Sequence, residues 1–111
     1  MINFLLATVA LFAMIGQAEA SAVKGNAVAG KQKAAACAAC HGVDGNKTLD
    51  NSYPKLAGQY PDYLLKALKD YKSGKRSNAI MAGQVQGLSE ADMANLAVYF
   101  SSLPGQMGIV H

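Results

Sequence analysis

Cysteines 37 and 40 and histidine 41 form the run Cys37-Ala38-Ala39-Cys40-His41. On a helix, positions i and i+3 share a face, and i+4 lies nearly above i. Two thiols so spaced can form thioether bonds to the two vinyl groups on one edge of a haem. The imidazole then reaches the iron from the same side. The spacing therefore reads as c-type haem attachment, with Cys37 and Cys40 as covalent anchors, His41 as an iron ligand and one haem c as cofactor. Other chemistries fit less well. A Cys37–Cys40 disulfide would close a very short loop and add little through chain entropy. A thioredoxin-like thiol pair expects a βαβ setting, and no alternating strand pattern lies nearby. Zinc needs four ligands, and outside this run the only strong nitrogen or sulfur donor is His111.

With His41 on one axial position, a second ligand is required. Methionine thioether suits an electron-transfer haem and raises its potential. Beyond the apolar N-terminal run the choices are Met81, Met93 and Met107, with His111 as a further competitor. Met93 falls on an apolar helical stripe, where methionine usually fills core space. Met107 and His111 belong to a tail after Pro104-Gly105, expected to fray. Met81 sits in a long connection able to cross a cofactor face, with Gly74 and Gly83 expected to permit sharp turns, and is the expected ligand.

Three helices are expected to carry these groups. The first starts at Asn26, a good N-cap, passes through the alanines at 34 to 36 and runs to Cys40, with Gly42 as its stop and Gly30 inside it at a cost that implies close packing. The second opens with Pro61 at a favoured first-turn position and ends at Ser73 before Gly74. Leu64, Leu65, Leu68 and Tyr71 form its apolar stripe. The third follows the capping box Ser89-x-x-Asp92 and places Met93, Leu96, Ala97, Phe100 and Leu103 at helical spacing before Pro104. Residues 43 to 60 and 74 to 88 are long connections, for which wrapping a cofactor is a sufficient reason. The expected class is all-α.

Residues 2 to 18 are apolar and uncharged, and Ala18-Glu19-Ala20 resembles a cleavage site before Ser21. Residues 1–20 therefore read as a signal peptide and 21–111 as a single domain in the periplasm, although the segment lacks a basic n-region. An uncleaved anchor is the alternative, since the run is just under spanning length. Removing 20 of 111 residues leaves 91, with all ten Lys and Arg and six of seven acids, a net charge of +4. A domain this small has a limited core, and a haem would supply the apolar body it lacks. The basic residues form no run, which argues against nucleic acid as a partner. Lys66, Lys69, Lys72, Lys75 and Arg76 instead offer a weak field that would steer acidic docking patches on redox partner proteins.

The chain resembles the class I c-type cytochromes, most closely the small bacterial monohaem proteins and each half of the dihaem periplasmic ones. The resemblance runs from Gly30-Lys31 to Leu103. It rests on Gly30 ahead of Cys37, Cys-Ala-Ala-Cys-His-Gly, Tyr53-Pro54-Lys55-Leu56-Ala57-Gly58-Gln59, Gly74-Lys75-Arg76 with Met81, Leu88-Ser89, and Leu96-Ala97-Val98-Tyr99-Phe100. It implies the cytochrome c fold, three main helices and two long loops around one covalent haem, with His41 and Met81 as axial ligands. It further implies that Pro54 accepts a hydrogen bond from the His41 imidazole, that Gly30 lets the first helix cross against Leu96 and Tyr99, and that Lys55, Gln59 and Arg76 lie near the haem propionates. The implied role is a periplasmic one-electron carrier rather than an enzyme. The rivals are a haem subunit of a larger redox enzyme and an open-site haem protein such as a peroxidase or gas binder.

Overall fold

The computed structural model describes residues 23–105. The expected signal segment, Met107 and His111 lie outside the described residues. Five helices and no strand occur among those described: α1 Ala27–Lys33, α2 Ala35–His41, α3 Pro61–Ser73, α4 Ala79–Val85 and α5 Glu90–Ser102. The chain is all-α, and none of these helices is long and apolar enough to cross a membrane.

The expected first helix is two helices. Asn26 caps α1, its side chain accepting from Ala29 N at 2.9 Å. At Ala34 the backbone N–H turns to Lys31 O, 3.2 Å away, before the regular pattern resumes with Ala38 N to Ala34 O. Such a tighter i→i−3 step rotates the chain by about 20° more than an α-helical one. A seven-residue spacing lags two full turns by about 20°, so this step brings Gly30 and Cys37 back to one azimuth. Gly42, at φ +93°, then ends α2.

Gly30 is buried where α1 crosses α5. A Cβ there would run into the Asn95 carbonyl and come within 2.7 Å of Tyr99 Cβ. The crossing partner beside Tyr99 is therefore Asn95 rather than the expected Leu96, which turns into the core. The Asn95 side chain also accepts from Asn26 N at 2.7 Å, tying the start of α1 to α5.

The other two helices begin where expected, and α5 ends at Ser102, so that Leu103 is an extended cap rather than the last residue of its stripe. Pro61 opens α3 and Gly74, at φ +87°, closes it. At α5, Ser89 accepts from Asp92 N and Asp92 accepts from Ser89 N, both at 3.0 Å, a complete capping box. Ala34, Leu64, Leu96, Ala97 and Phe100 make the core, with Cys37, Leu56, Leu65, Leu68 and Tyr99 packed around it.

The 74–88 connection departs from expectation, because it contains α4. Asn78 starts this helix, its side chain accepting from Ile80 N and Met81 N at 3.0 Å each. Met81 is thus a first-turn helical residue and not a loop residue. Gly83 lies inside α4 and is not among the positive-φ glycines, so it makes no turn. Residues 43 to 60 contain no helix and form a hydrogen-bonded loop, as expected.

Candidate functional site

Between the loop 52–59, α3, α4 and α5 lies a cavity of about 490 Å³, within the range of sites that enclose a cofactor. Cys37 and His41 line it from α2, Leu64 and Leu68 from α3, Leu96, Ala97 and Phe100 from α5, and Ile80 and Met81 from α4. Lys55, Gln59 and Arg76 line it as well, and among the described residues no Asp or Glu does. An apolar chamber with cations and no carboxylate suits an apolar body that carries anionic groups. Haem, with its two propionates, has that character, so the residues present fit it.

His41 is 5% exposed. Its Nδ1 lies 2.7 Å from Pro54 O, and a carbonyl can only accept, so Nδ1 carries the proton and donates. That tautomer leaves the lone pair on Nε2, as a metal-ligating histidine requires. Tyr53 packs edge-on to the ring, at 6.1 Å between centroids and 81° between planes. Pro54 is held for this contact by neighbours in the loop. Leu56 N and Ala57 N both donate to Gly45 O, at 2.8 and 3.2 Å, and Gly58 N donates to Phe100 O at 3.0 Å.

Cys37 sits on the cavity wall, whereas Cys40 is half-buried beside it, its carbonyl accepting from Leu49 N. No disulfide joins them. Burial pushes the Cys37 thiol above its ordinary pKa, the opposite of what a redox-active Cys-x-x-Cys pair needs for its attacking thiolate. Among the described residues no three His, Cys, Asp or Glu side chains gather to hold a metal ion by protein ligands alone.

Of the two described methionines, Met81 lines the cavity. Met93 is 2% exposed and borders a separate shallow depression with Lys69, Lys72, Ser73 and Glu90. Arg76 is held at the cavity by aromatic groups: its guanidinium lies 4.8 Å from the centre of the Tyr71 ring and 3.5 Å from Tyr63 Oη. The hydrogen bond to Tyr63 raises its pKa further. Several lysines of the expected docking field are engaged within the chain. Lys66 pairs with Asp70 at 2.6 Å, Lys69 with Glu90 at 3.0 Å, and Lys72 donates to Leu88 O. The field is weaker than a simple count of charges suggests.

A residue that motif reading passed over is Asn46. It is 8% exposed, and its Nδ2 donates to Pro104 O at 2.9 Å, across 58 positions of sequence. Only its place four residues after Gly42, in an Asp-Gly-Asn turn, hinted at a structural role.

The model of the cytochrome c family matches residues 24–104. Cytochrome c4 of Pseudomonas aeruginosa is 45% identical over 101 residues, which cover 91% of this chain and 50% of that protein. The cytochrome subunit of sulfide dehydrogenase of Chlorobaculum tepidum is 35% identical over 93 residues, covering 83% of each. The crystal structure of reduced recombinant cytochrome c4 from Pseudomonas stutzeri superposes with a TM-score of 0.70 at 45% identity, covering 74% of this chain and 47% of that one. The chain spans about half the length of the cytochrome c4 proteins it matches.

Proposed function

The chain belongs to the cytochrome c family, and on that footing we propose that it is a periplasmic one-electron carrier with a single haem c. Thioethers from Cys37 and Cys40 hold the haem, and His41 and Met81 ligate its iron. The observation that carries this proposal is the shared cavity: Cys37, His41 and Met81 line one chamber with apolar walls and two cations, and with no carboxylate among the described residues. When bound, haem c supplies one-electron exchange between Fe(III) and Fe(II). The chain's own part is to hold and tune. Pro54 orients His41 through Nδ1 and makes its Nε2 a stronger donor. Leu64, Leu96 and Phe100 keep water from the chamber. Lys55 and Arg76 offset propionate charge, and Gln59 can donate to it.

Residues 1–20 are proposed as a removed signal peptide, leaving Ser21 as the mature N-terminus. The start of the family match at residue 24 agrees with this. N-terminal sequencing of purified protein checks it, and finding residues 1–20 on protein in the membrane fraction overturns it.

The deciding experiment is an absorption spectrum of oxidised and reduced protein, with carbon monoxide added to the reduced form, followed by acid–organic extraction. The expected result is a low-spin spectrum with a far-red sulfur-to-iron band, no carbon monoxide adduct, and haem that stays on the polypeptide. Extractable haem overturns the covalent attachment. Ready carbon monoxide binding favours an open-site haem protein.

The match to a sulfide dehydrogenase subunit over 83% of both chains favours a second reading, in which this domain relays electrons inside a larger enzyme. Native-extract sedimentation separates the two. A stable complex with a second polypeptide supports the subunit, and a free small cytochrome supports the carrier.

A further inference from the structure

We infer that Asn46 is a positioning residue for His41, acting through the loop that carries Pro54. The inference rests on His41 being a haem ligand. Three segments distant in sequence meet behind the imidazole: the turn 42–46, the stretch 54–58, and the end of α5. Backbone bonds join the first two at Gly45 O, which accepts from Leu56 N and Ala57 N, and the last two through Gly58 N to Phe100 O. The ring of contacts is closed by Asn46, whose Nδ2 donates to Pro104 O at 2.9 Å and lies 3.5 Å from Asp44 O. The Asn46 side chain thereby ties the turn directly to the end of α5.

The backbone of Asn46 is fixed as well, whereas its buried Oδ1 has no hydrogen-bond partner among the described residues. Its backbone N–H donates to Asp44 Oδ1 at 2.9 Å, an Asx turn that sets the direction of the side chain. A flipped amide would aim Oδ1 at two carbonyl oxygens, so the donor end must face Pro104. The side chain is nine-tenths buried, so loss of this bond is not compensated by solvent. With Asn46 released, Gly45 is free to shift from Pro104, and Pro54 shifts with it, because Leu56 and Ala57 hang from Gly45 O. The Pro54 acceptor then moves relative to His41 Nδ1. A weaker Nδ1–H bond makes Nε2 a poorer donor, which favours ferrous iron and raises the reduction potential.

The test uses holoprotein of wild type, Asn46→Leu, Asn46→Ala and a control, Gly25→Ala. The control disturbs the α1–α5 crossing, since a Cβ at Gly25 would sit 2.6 Å from Ala94 O, and it touches neither the cavity nor the ring. Two quantities are read: exchange of the His41 Nδ1 proton by nuclear magnetic resonance of the reduced protein, and the reduction potential. Both Asn46 variants should speed Nδ1 proton exchange about tenfold, the scale of one lost hydrogen bond, and raise the potential. Gly25→Ala should lower stability and leave both unchanged. Wild-type values of exchange and potential in a folded Asn46 variant overturn the inference, as does a fall in potential. If neither variant folds, native-state exchange of the wild type decides. The His41 Nδ1 proton and the Leu56 and Gly58 amides should exchange through one shared opening, and separate openings overturn the inference. A reduced wild type whose His41 ring protons lack the strong haem ring-current shift of an axial ligand overturns the functional proposal as well, which variant failure alone does not.

Discussion

Met81 and Met93 are chemically identical, and their surroundings separate them. Met81 shares the cavity with His41, while Met93 is sealed into the α5 stripe beside Leu96 and Ala97. On the proposed ligation, Met81→Ala should therefore abolish the far-red sulfur-to-iron band, lower the potential and admit carbon monoxide, because removing a thioether ligand disfavours ferrous iron. Met93→Leu conserves volume and should cost less than about 1.5 kcal/mol of stability with an unchanged spectrum. The band surviving Met81→Ala and vanishing in Met93→Leu would mean that the ligand is misassigned.

Among the helices, the glycines divide by what a side chain would meet. Gly30→Ala drives a methyl group into the Asn95 carbonyl, a backbone atom that cannot rotate away. Overpacking of this kind costs about 1–3 kcal/mol, and thermal melting should show it. Gly83 has open space around it inside α4. Gly83→Ala should stabilise by roughly 0.5–1 kcal/mol by lowering the entropy of the unfolded chain, and a loss of stability would mean that α4 needs flexibility there. The α5 capping box adds a pH dependence. The Ser89 N–H, and secondarily Lys33 at 3.6 Å, hold the Asp92 carboxyl below its ordinary pKa. A depressed folded-state pKa gives stability that is fully present above the ordinary carboxylate range, and it is lost as pH falls below about 4. Asp92→Asn should flatten that acid limb of the stability curve, and an unchanged limb would assign the acid sensitivity to other carboxylates.

At the scale of the molecule, the cavity is large for the core that surrounds it. The buried apolar set is small, with Leu96 and Val85 its largest fully enclosed side chains. A chamber of about 490 Å³ walled by apolar side chains leaves those side chains without packing partners when it is unfilled, a loss that the small core is poorly able to offset. The double variant Cys37→Ala/Cys40→Ala should consequently lose most of its helical circular dichroism and its cooperative melt. A sharp melt with native helicity in haem-free protein would show that the helices close without the cofactor.

What could be read from sequence was what neighbouring residues decide among themselves. The Cys37, Cys40 and His41 spacing, the Pro61 and Gly74 ends of α3 and the Ser89–Asp92 box each depend on atoms within three or four positions or on one residue's own backbone freedom. Such groups find one another in any fold that keeps the helix. The Asn78 cap was equally local and could have revealed α4, but seven residues with a glycine inside make too weak a helical signal without packing. Other features needed the folded chain. Asn95 rather than Leu96 meets Gly30 because the crossing angle of two helices chooses the face. The Ala34 step, the sharing of one cavity by His41 and Met81, and the bond from Asn46 to Pro104 all follow from how distant segments pack. Sequence determined which groups could act on a haem. Tertiary structure decided which of them share its chamber, because contacts across 40 or 58 positions depend on loop closure and packing, which no local pattern encodes.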